Sequence, residues 1–122
     1  MKKIENFYDL NAWQKAHRLT PDICKITEKF PKTEQFGITN QIRRASSSVS
    51  ANIAEGFARY HYKDKARFYY QARGSVAEVY NFLLLIKDLG LIDNETHKKE
   101  TEQVQGIEKL INGLIRSIKN QK

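Results

Sequence analysis

Apolar residues recur at helical spacing in four segments of the chain. In residues 10–29 and 40–58 they repeat every three or four positions, which places them on one face of an α-helix. Residues 63–89 and about 94–119 keep a heptad spacing of apolar positions. No stretch shows the sustained alternation with a period of two that is typical of a β-strand. The pattern therefore predicts four helices.

Local signals set the expected ends of these helices. Pro21 interrupts the first apolar stripe, and it predicts a kink near residues 18–20 because proline lacks an N–H and crowds the preceding turn. Gly90 favours a stop after the third helix. The residues expected to cap the first, second and fourth helices are Asp9, Thr39 and either Asp93 or Asn94.

Short links between long helices favour antiparallel neighbours. The predicted fold is all-α, an antiparallel up-down four-helix bundle that forms a single domain over residues 1–122. Apolar residues off the main seams of the third and fourth helices exceed what one small bundle needs. They indicate an interface between subunits.

The second helix carries an unusually small and polar face, which favours a close approach to the third helix. If the hairpin turns near residue 61, residues whose numbers sum to about 122 face each other. The facing pairs are then Arg44 with Glu78, Glu55 with Arg67, and Ser48 with Gly74. The two arginine–carboxylate pairs are interpreted as structural ion pairs that fix the register. A catalytic or metal-binding use of Glu55 and Glu78 is the less favoured alternative.

Positive charge is concentrated in the middle of the chain. The protein has 21 Lys and Arg against 14 Asp and Glu, a formal charge of +7. Residues 39–73 hold seven of the basic residues and only two acidic ones. Such a field attracts polyanions. The alternative is a solvated face that keeps the protein soluble.

Residues 59–67 interleave basic and aromatic side chains, as nucleic-acid-binding surfaces do. Phosphates would pair with the cations, and unstacked bases could lie on the tyrosines. Alternatively, the tyrosines cover the end of the bundle. The candidate nucleic-acid-binding residues are Arg43, Arg59, Lys63, Lys65, Arg67, Arg73, Tyr60 and Tyr62.

The sequence offers little support for catalysis. Its three histidines are far apart, and the single cysteine, Cys24, cannot form an intrachain disulfide or a cysteine-only metal site. No glycine loop suited to phosphate binding and no Glu-x-x-His motif of a di-iron bundle is present. We expect no enzymatic activity, cofactor or metal. No apolar run approaches the ~20 residues of a membrane span and no secretory signal is visible, so a cytoplasmic location is expected.

Several runs of the sequence resemble one known family. Two are central, Gln41-Ile42-Arg43-Arg44-Ala45 and Asn52-Ile53-Ala54-Glu55-Gly56. Around them lie Leu10-x-x-Trp13-x-x-Ala16, Phe30-Pro31, Phe36-Gly37-Ile38-Thr39, and Ala72-Arg73-Gly74-Ser75-x-x-Glu78. Over about residues 7–92 the chain resembles the bacterial four-helix-bundle proteins encoded in intervening sequences of the large-subunit ribosomal RNA gene.

The resemblance implies an architecture more than an activity. Family members are small bundles that assemble as homopentamers with a basic surface, and no catalytic residues are recognised in them. Similar proteins act as accessory factors of retroelements, where they bind nucleic acid and a reverse transcriptase. The leading hypothesis is therefore a non-catalytic, oligomeric accessory protein that binds RNA or DNA. The alternative is an oligomeric protein-interaction scaffold. Pro21 departs from the family pattern, as do the aromatic residues of the turn, Tyr60-His61-Tyr62.

Overall fold

The chain forms four long helices joined by short links, in a computed structural model that describes residues 3–120 and every side chain among them except those of residues 34–36. The helices are α1, Asn11–Glu28; α2, Asn40–Ala58; α3, Tyr62–Asp88; and α4, Asn94–Lys119. Each end lies within one residue of its predicted position. The described residues contain no strand, and the predicted all-α fold is confirmed.

Each helix packs on two neighbours. α1 contacts α2 and α4, and α3 contacts the same two helices, with the most extensive contact between α2 and α3. The helices therefore alternate in direction around a closed ring. One end of the bundle, which we call the loop end, contains the start of α1, the link at residues 59–61 and the end of α4. The opposite end carries the links from α1 to α2 and from α3 to α4.

The core is built mainly from branched aliphatic side chains of all four helices. On α3, the buried residues fall on two neighbouring stripes. One consists of Tyr69, Val76 and Leu83, and the other includes Ala72, Val79 and Ile86. Phe68 and Phe82 of the second stripe are only half-buried, and Leu89 at its end is exposed. The burial of Tyr69 raises the pKa of its hydroxyl to about 12.

The helix ends follow some of the predicted caps. The Asp93 carboxylate accepts a hydrogen bond from the Thr96 N–H at 2.7 Å, so Asp93 caps α4 as expected. Gly90 follows α3 with a positive φ of 76°. The cap predicted for α1 is wrong, because Leu10 stands at the N-cap position and Asp9 instead binds the N–H groups of residues 5 and 6. Thr39 stands at the predicted N-cap position of α2, but its side chain makes no cap hydrogen bond. α1 continues through Pro21, which lies on its exposed side.

A polar cluster sets the register between α2 and α3. Ser75 Oγ donates to Ser48 Oγ at 2.9 Å, and Asn52 Nδ2 donates to the carbonyl and hydroxyl oxygens of Ser48 at 2.9 and 3.1 Å. Ser48 thus pairs with Ser75 and not with Gly74, one residue from the predicted register. Gly74 is exposed, with no atom within 4 Å of the position a Cβ would take. The close approach of the two helices lies at Gly56 instead.

The two predicted ion pairs between α2 and α3 do not form among the described residues. Glu55 pairs with Arg59, at 3.6 Å and just past the end of α2, in place of Arg67. Arg44 and Glu78 border one surface groove but are both exposed, and no ion pair joins them. Exposed ion pairs contribute little because water screens them and ordering long side chains costs entropy. At this point the hydroxyl contact between Ser48 and Ser75, rather than a salt bridge, joins the two helices, whereas the bonds from Asn52 stay within α2.

One carboxyl group is buried where α1 meets α4. Glu100 is only 2% exposed. The amide nitrogen of Gln103, in its hydrogen-bonding orientation, donates to Glu100 Oε1 at 3.1 Å and to Asp22 Oδ2 at 3.2 Å. Burial raises the pKa of Glu100, the Asp22 carboxylate raises it further, and Lys99 opposes both. Lys25 of α1 borders the same small cavity.

Candidate nucleic-acid interface

The loop end of the bundle carries most of the excess positive charge on α3 and α4. Residues 62–73 of α3 include four basic residues and one acidic, whereas residues 74–88 include one basic and two acidic. The last turns of α4, residues 110–119, hold Arg116 and Lys119 and no acidic residue. Because α3 and α4 are antiparallel, these two basic segments lie side by side.

Arg43 lies away from this charge and serves a different purpose. It is near the start of α2, at the opposite end of the bundle. Its Nε donates to Thr27 Oγ1 at 2.8 Å and its Nη2 to the Cys24 carbonyl at 3.5 Å. Arg43 is therefore a link to the last turns of α1, near the C-terminal end of the helix dipole, which favours a cation, rather than part of the loop-end surface.

Lys65 is also held inside the fold. Its Nζ donates to the Phe57 carbonyl at 2.7 Å and to the Gly56 carbonyl at 3.4 Å, and it lies 5.3 Å from the centre of the Phe57 ring. Burial lowers the pKa of this amine. Lys65 thus satisfies the last carbonyls of α2, and its ammonium group is turned away from an external ligand.

Two of the predicted nucleic-acid-binding residues, Arg59 and Arg67, lie near the ring of Phe68. The guanidinium carbon of Arg59 lies 4.6 Å from the centre of the Phe68 ring, and that of Arg67 lies 4.9 Å from it. Arg59 is partly neutralised by Glu55. Arg67 is exposed, so its donors remain accessible while the ring restricts its movement.

A groove opens between the start of α3 and the end of α4. It has a volume of about 410 Å³, and its walls are almost entirely apolar in surface. Six residues line it: Tyr62, Lys63, Ala66 and Tyr70 from α3, with Ile118 and Lys119 from α4. None of the six is acidic, and both lysines are exposed.

Two cationic side chains lie close to the ring of Tyr70, which lines this groove. The Arg73 guanidinium carbon lies 5.0 Å from the centre of the Tyr70 ring, and Lys119 Nζ lies 5.9 Å from it. Arg73 Nη1 donates to Asn112 Oδ1 at 3.1 Å, which fixes the guanidinium between the two helices. Tyr70 is therefore an aromatic surface flanked by two positive charges.

The predicted residues therefore divide into those at the groove and those away from it. Tyr62 and Lys63 line it, and Arg73 borders it through Tyr70. Tyr60 is 88% exposed in the link, with its ring edge-on to His61, and it does not line the groove.

The sequence reasoning missed Ala66, Tyr70 and the whole contribution of α4. The sequence did contain one indication that α4 contributes to the groove. An antiparallel α3–α4 pair joined by a short link must bring residues near 62–70 beside residues near 112–119.

The other end of α3 has a contrasting surface. Leu84, Leu85 and Leu89 are 53%, 39% and 54% exposed, and they lie close together on the last turns of the helix. With a rise of 1.5 Å per residue, Leu84 is about 21 Å along the helix axis from Tyr70. The exposed side of α3 is thus basic and aromatic at its start and apolar at its end.

No helix among residues 3–120 combines the length and the hydropathy needed to cross a bilayer. In the same described part of the chain, no three His, Cys, Asp or Glu side chains come together as a metal site would require.

Comparison with known proteins identifies relatives. A family model described as 23S rRNA-intervening sequence protein matches residues 8–113. A solved structure of a protein with unknown function from the S23 ribosomal protein family of Bacteroides thetaiotaomicron superimposes with a TM-score of 0.77. It is 21% identical in sequence, and the match covers 85% of this chain and 97% of that one. At this identity the structural match bears on the fold alone. Among curated proteins, no sequence matches this chain.

Proposed function

Because the chain belongs to the 23S rRNA-intervening sequence protein family, whose model matches residues 8–113, we propose a role that its own surface supports. In this proposal the protein is a non-catalytic, oligomeric accessory protein that binds nucleic acid, with RNA as the favoured ligand. The family relationship fixes the fold but leaves the function open. The argument therefore depends on the residues at the loop end.

The groove between α3 and α4 carries the proposal. It combines the two features that nucleic acid requires, accessible cations for phosphates and aromatic rings for bases. Lys63 and Lys119 are exposed on its walls, and Arg73 lies over the Tyr70 ring. Arg67 extends the positive surface along the exposed side of α3. An acidic protein partner would use the cations but has less use for the aromatic walls.

Salt dependence tests this proposal. The full-length protein is titrated into fluorescently labelled single-stranded RNA, single-stranded DNA and duplex DNA, and anisotropy is measured between 50 and 200 mM salt. We expect binding whose log K falls with log salt by ~0.7 for each phosphate contacted on a single strand. Failure to bind any of the three at low salt would refute the proposal.

A pair of matched charge reversals locates the surface. Lys63→Glu combined with Lys119→Glu should abolish binding, because it reverses both groove lysines. Lys29→Glu combined with Lys98→Glu changes the net charge equally at the opposite end of the bundle, where both residues are exposed. This control should retain most of the affinity, and an equal loss in both variants would contradict the assignment to the groove.

The alternative, a protein-interaction scaffold, is favoured by the exposed leucines at the end of α3. Leu84, Leu85 and Leu89 form an apolar surface that a second protein chain could bury. We assign this surface to self-association of the chain, so that an oligomer would present several basic grooves to one polyanion.

A homopentamer, a reverse-transcriptase partner and a cytoplasmic location remain predictions from the sequence and its family resemblance. Light scattering of the purified chain, with and without RNA, measures the mass of the assembly.

A further inference from the structure

We propose that the α3–α4 groove takes up one unpaired nucleobase between Tyr62 and Tyr70, while cations at its edge hold the neighbouring phosphates. This inference depends on the proposed nucleic-acid function, and it narrows the ligand to a strand with unstacked bases. Duplex phosphates alone would not need the apolar interior of the groove.

The spacing of α3 residues creates room for a planar ring. Tyr62, Ala66 and Tyr70 follow one another at intervals of four residues, so they lie along the same side of the helix. Tyr62 and Tyr70 are eight residues apart, which places their backbones about 12 Å apart along the helix axis. A ring stacked between two others needs roughly 7 Å, twice the contact distance of about 3.5 Å between carbon atoms. The small side chain of Ala66 leaves the space between them open.

The second wall of the groove suits the face of a base. Ile118 of α4 lines the groove together with Ala66 of α3, and the surface of the walls is almost wholly apolar. The volume of about 410 Å³ lies within the range of small-molecule sites. A base in a duplex already has both faces covered by its neighbours, so it would gain nothing here. An unpaired base would remove both its own apolar faces and the groove walls from water.

The cations at the edge of the groove suit the backbone phosphates that flank an unpaired nucleotide. Lys63 lies on the α3 wall and Lys119 on the α4 wall, so cations flank the groove on both sides. Arg73 and Lys119 also lie close to the Tyr70 ring, where they could pair with phosphates next to a bound base. Within a strand, the sugar that carries the base is linked to an anionic phosphate on each side, and the nucleotide therefore complements the groove in both shape and charge.

A comparison of intact and abasic strands tests the inference with the unmodified protein. Two twelve-nucleotide strands, one intact and one lacking its bases, have the same number of phosphates, and only the intact strand has bases that can enter the groove. We expect the intact strand to bind about fivefold or more tightly, from base–aromatic stacking. A single 2-aminopurine in the strand should lose fluorescence on binding. RNA and DNA versions are run in parallel. If the intact strand binds more tightly than the abasic strand only in the RNA version, the groove binds a ribonucleotide.

Substitutions in the groove add a structural control. Ala66→Leu fills the space between the tyrosines without changing the charge, and Tyr70→Leu removes one ring. Both should reduce binding of the intact strand to the level of the abasic strand, provided that circular dichroism shows a folded helix bundle. Ala51→Leu, at an exposed position of α2, is the matched control and should bind as the unmodified protein does.

The outcomes separate this inference from the function on which it depends. Equal affinity for intact and abasic strands, with unchanged 2-aminopurine fluorescence, would overturn the nucleobase site but leave nucleic-acid binding in place. No binding of either strand at 50 mM salt would overturn both proposals. Preferential binding of duplex over single strands would also count against a base-binding groove.

Discussion

The ring of Tyr69 lies directly against the backbone of Gly56, where α3 crosses α2. A Cβ added to Gly56 would be 2.6 Å from Tyr69 Cε1, 2.8 Å from Cδ1 and 3.2 Å from the Cβ of Phe68. These distances are too short for a side chain, so only glycine permits the observed packing. Since Tyr69 is buried, its ring cannot move aside at little cost.

Gly56→Ala should therefore destabilise the protein. Forcing a methyl group into this contact is expected to cost about 1–3 kcal/mol, the usual range for overpacking. Gly74→Ala provides the matched control, because the space around Gly74 is open and alanine in a helix is more stable than glycine by about 0.5–1 kcal/mol. Urea unfolding of both variants measures the difference. A Gly56→Ala protein as stable as the parent would contradict the close approach.

The contact of Arg43 with the end of α1 predicts a structural role. Arg43→Ala should lower the free energy of unfolding by ~1.5 kcal/mol, the lower end for hydrogen bonds to a charged group, since Arg43 is partly exposed. Nucleic-acid affinity should change little. Arg44→Ala, at the exposed neighbouring position, should alter stability by less than about 0.5 kcal/mol. Equal effects in denaturant unfolding would argue against the link through Thr27.

The buried carboxyl of Glu100 predicts a dependence of stability on pH. Its pKa in the folded protein is raised above the ordinary value of 4.5, because burial and Asp22 disfavour the charged form. The folded state therefore binds more protons than the unfolded state just above pH 4.5, and this group reduces stability as pH rises through that range. Glu100→Gln should raise the melting temperature at pH 7.5 and have little effect at pH 4. Glu102→Gln, at an exposed site on α4, should show no such difference between the two pH values.

Two lysines near the start of α3 should differ in their effect on nucleic-acid binding. Lys63→Gln removes an exposed cation of the groove, and it should weaken binding and reduce the salt slope by about 0.7 for a single strand. Lys65→Gln should leave both nearly unchanged, because the amine of Lys65 is engaged by the carbonyls of α2. Anisotropy titrations at several salt concentrations measure the slopes. The reverse order of effects would show that Lys65, and not Lys63, faces the ligand.

The apolar end of α3 predicts self-association. Leu84→Glu combined with Leu89→Glu should reduce the mass of the particle measured by light scattering, because a charged group cannot be buried unpaired at an interface. Tyr60→Glu changes a still more exposed apolar residue at the other end of the bundle, and it should leave the mass unaltered. If both proteins keep the mass of the parent, this surface is not the interface.

The sequence predicted the secondary structure of this protein closely because helical periodicity is a local property. The boundaries of α1 to α4 followed from apolar spacing and from residues such as Gly90, whose effect depends only on neighbours in the chain. The family was also recognised from runs of residues in α2 and α3, and the match over residues 8–113 confirms it. The concentration of charge in residues 39–73 was equally visible.

The predicted site was less accurate, and the reasons lie in three dimensions. The hairpin register was wrong by one residue at Ser48, enough to replace Gly74 by Ser75 as its partner. Lys65 and Arg43 were both read as surface cations. Their bonds to the Phe57 carbonyl and the Thr27 hydroxyl depend on how α1, α2 and α3 are rotated about their axes, which a linear pattern of charges does not reveal.

The amino-acid sequence by itself determined four helices, their order, and a positive excess near the start of α3, since each of these depends on composition and on spacing along the chain. The tertiary structure alone decided which cations remain accessible and that Tyr70 and Lys119, 49 positions apart in sequence, lie together in one groove. Side-chain packing between antiparallel helices determines which residues lie together and which cations stay accessible. It fixes the rotation and the axial offset of each helix through contacts as specific as the one between Gly56 and Tyr69.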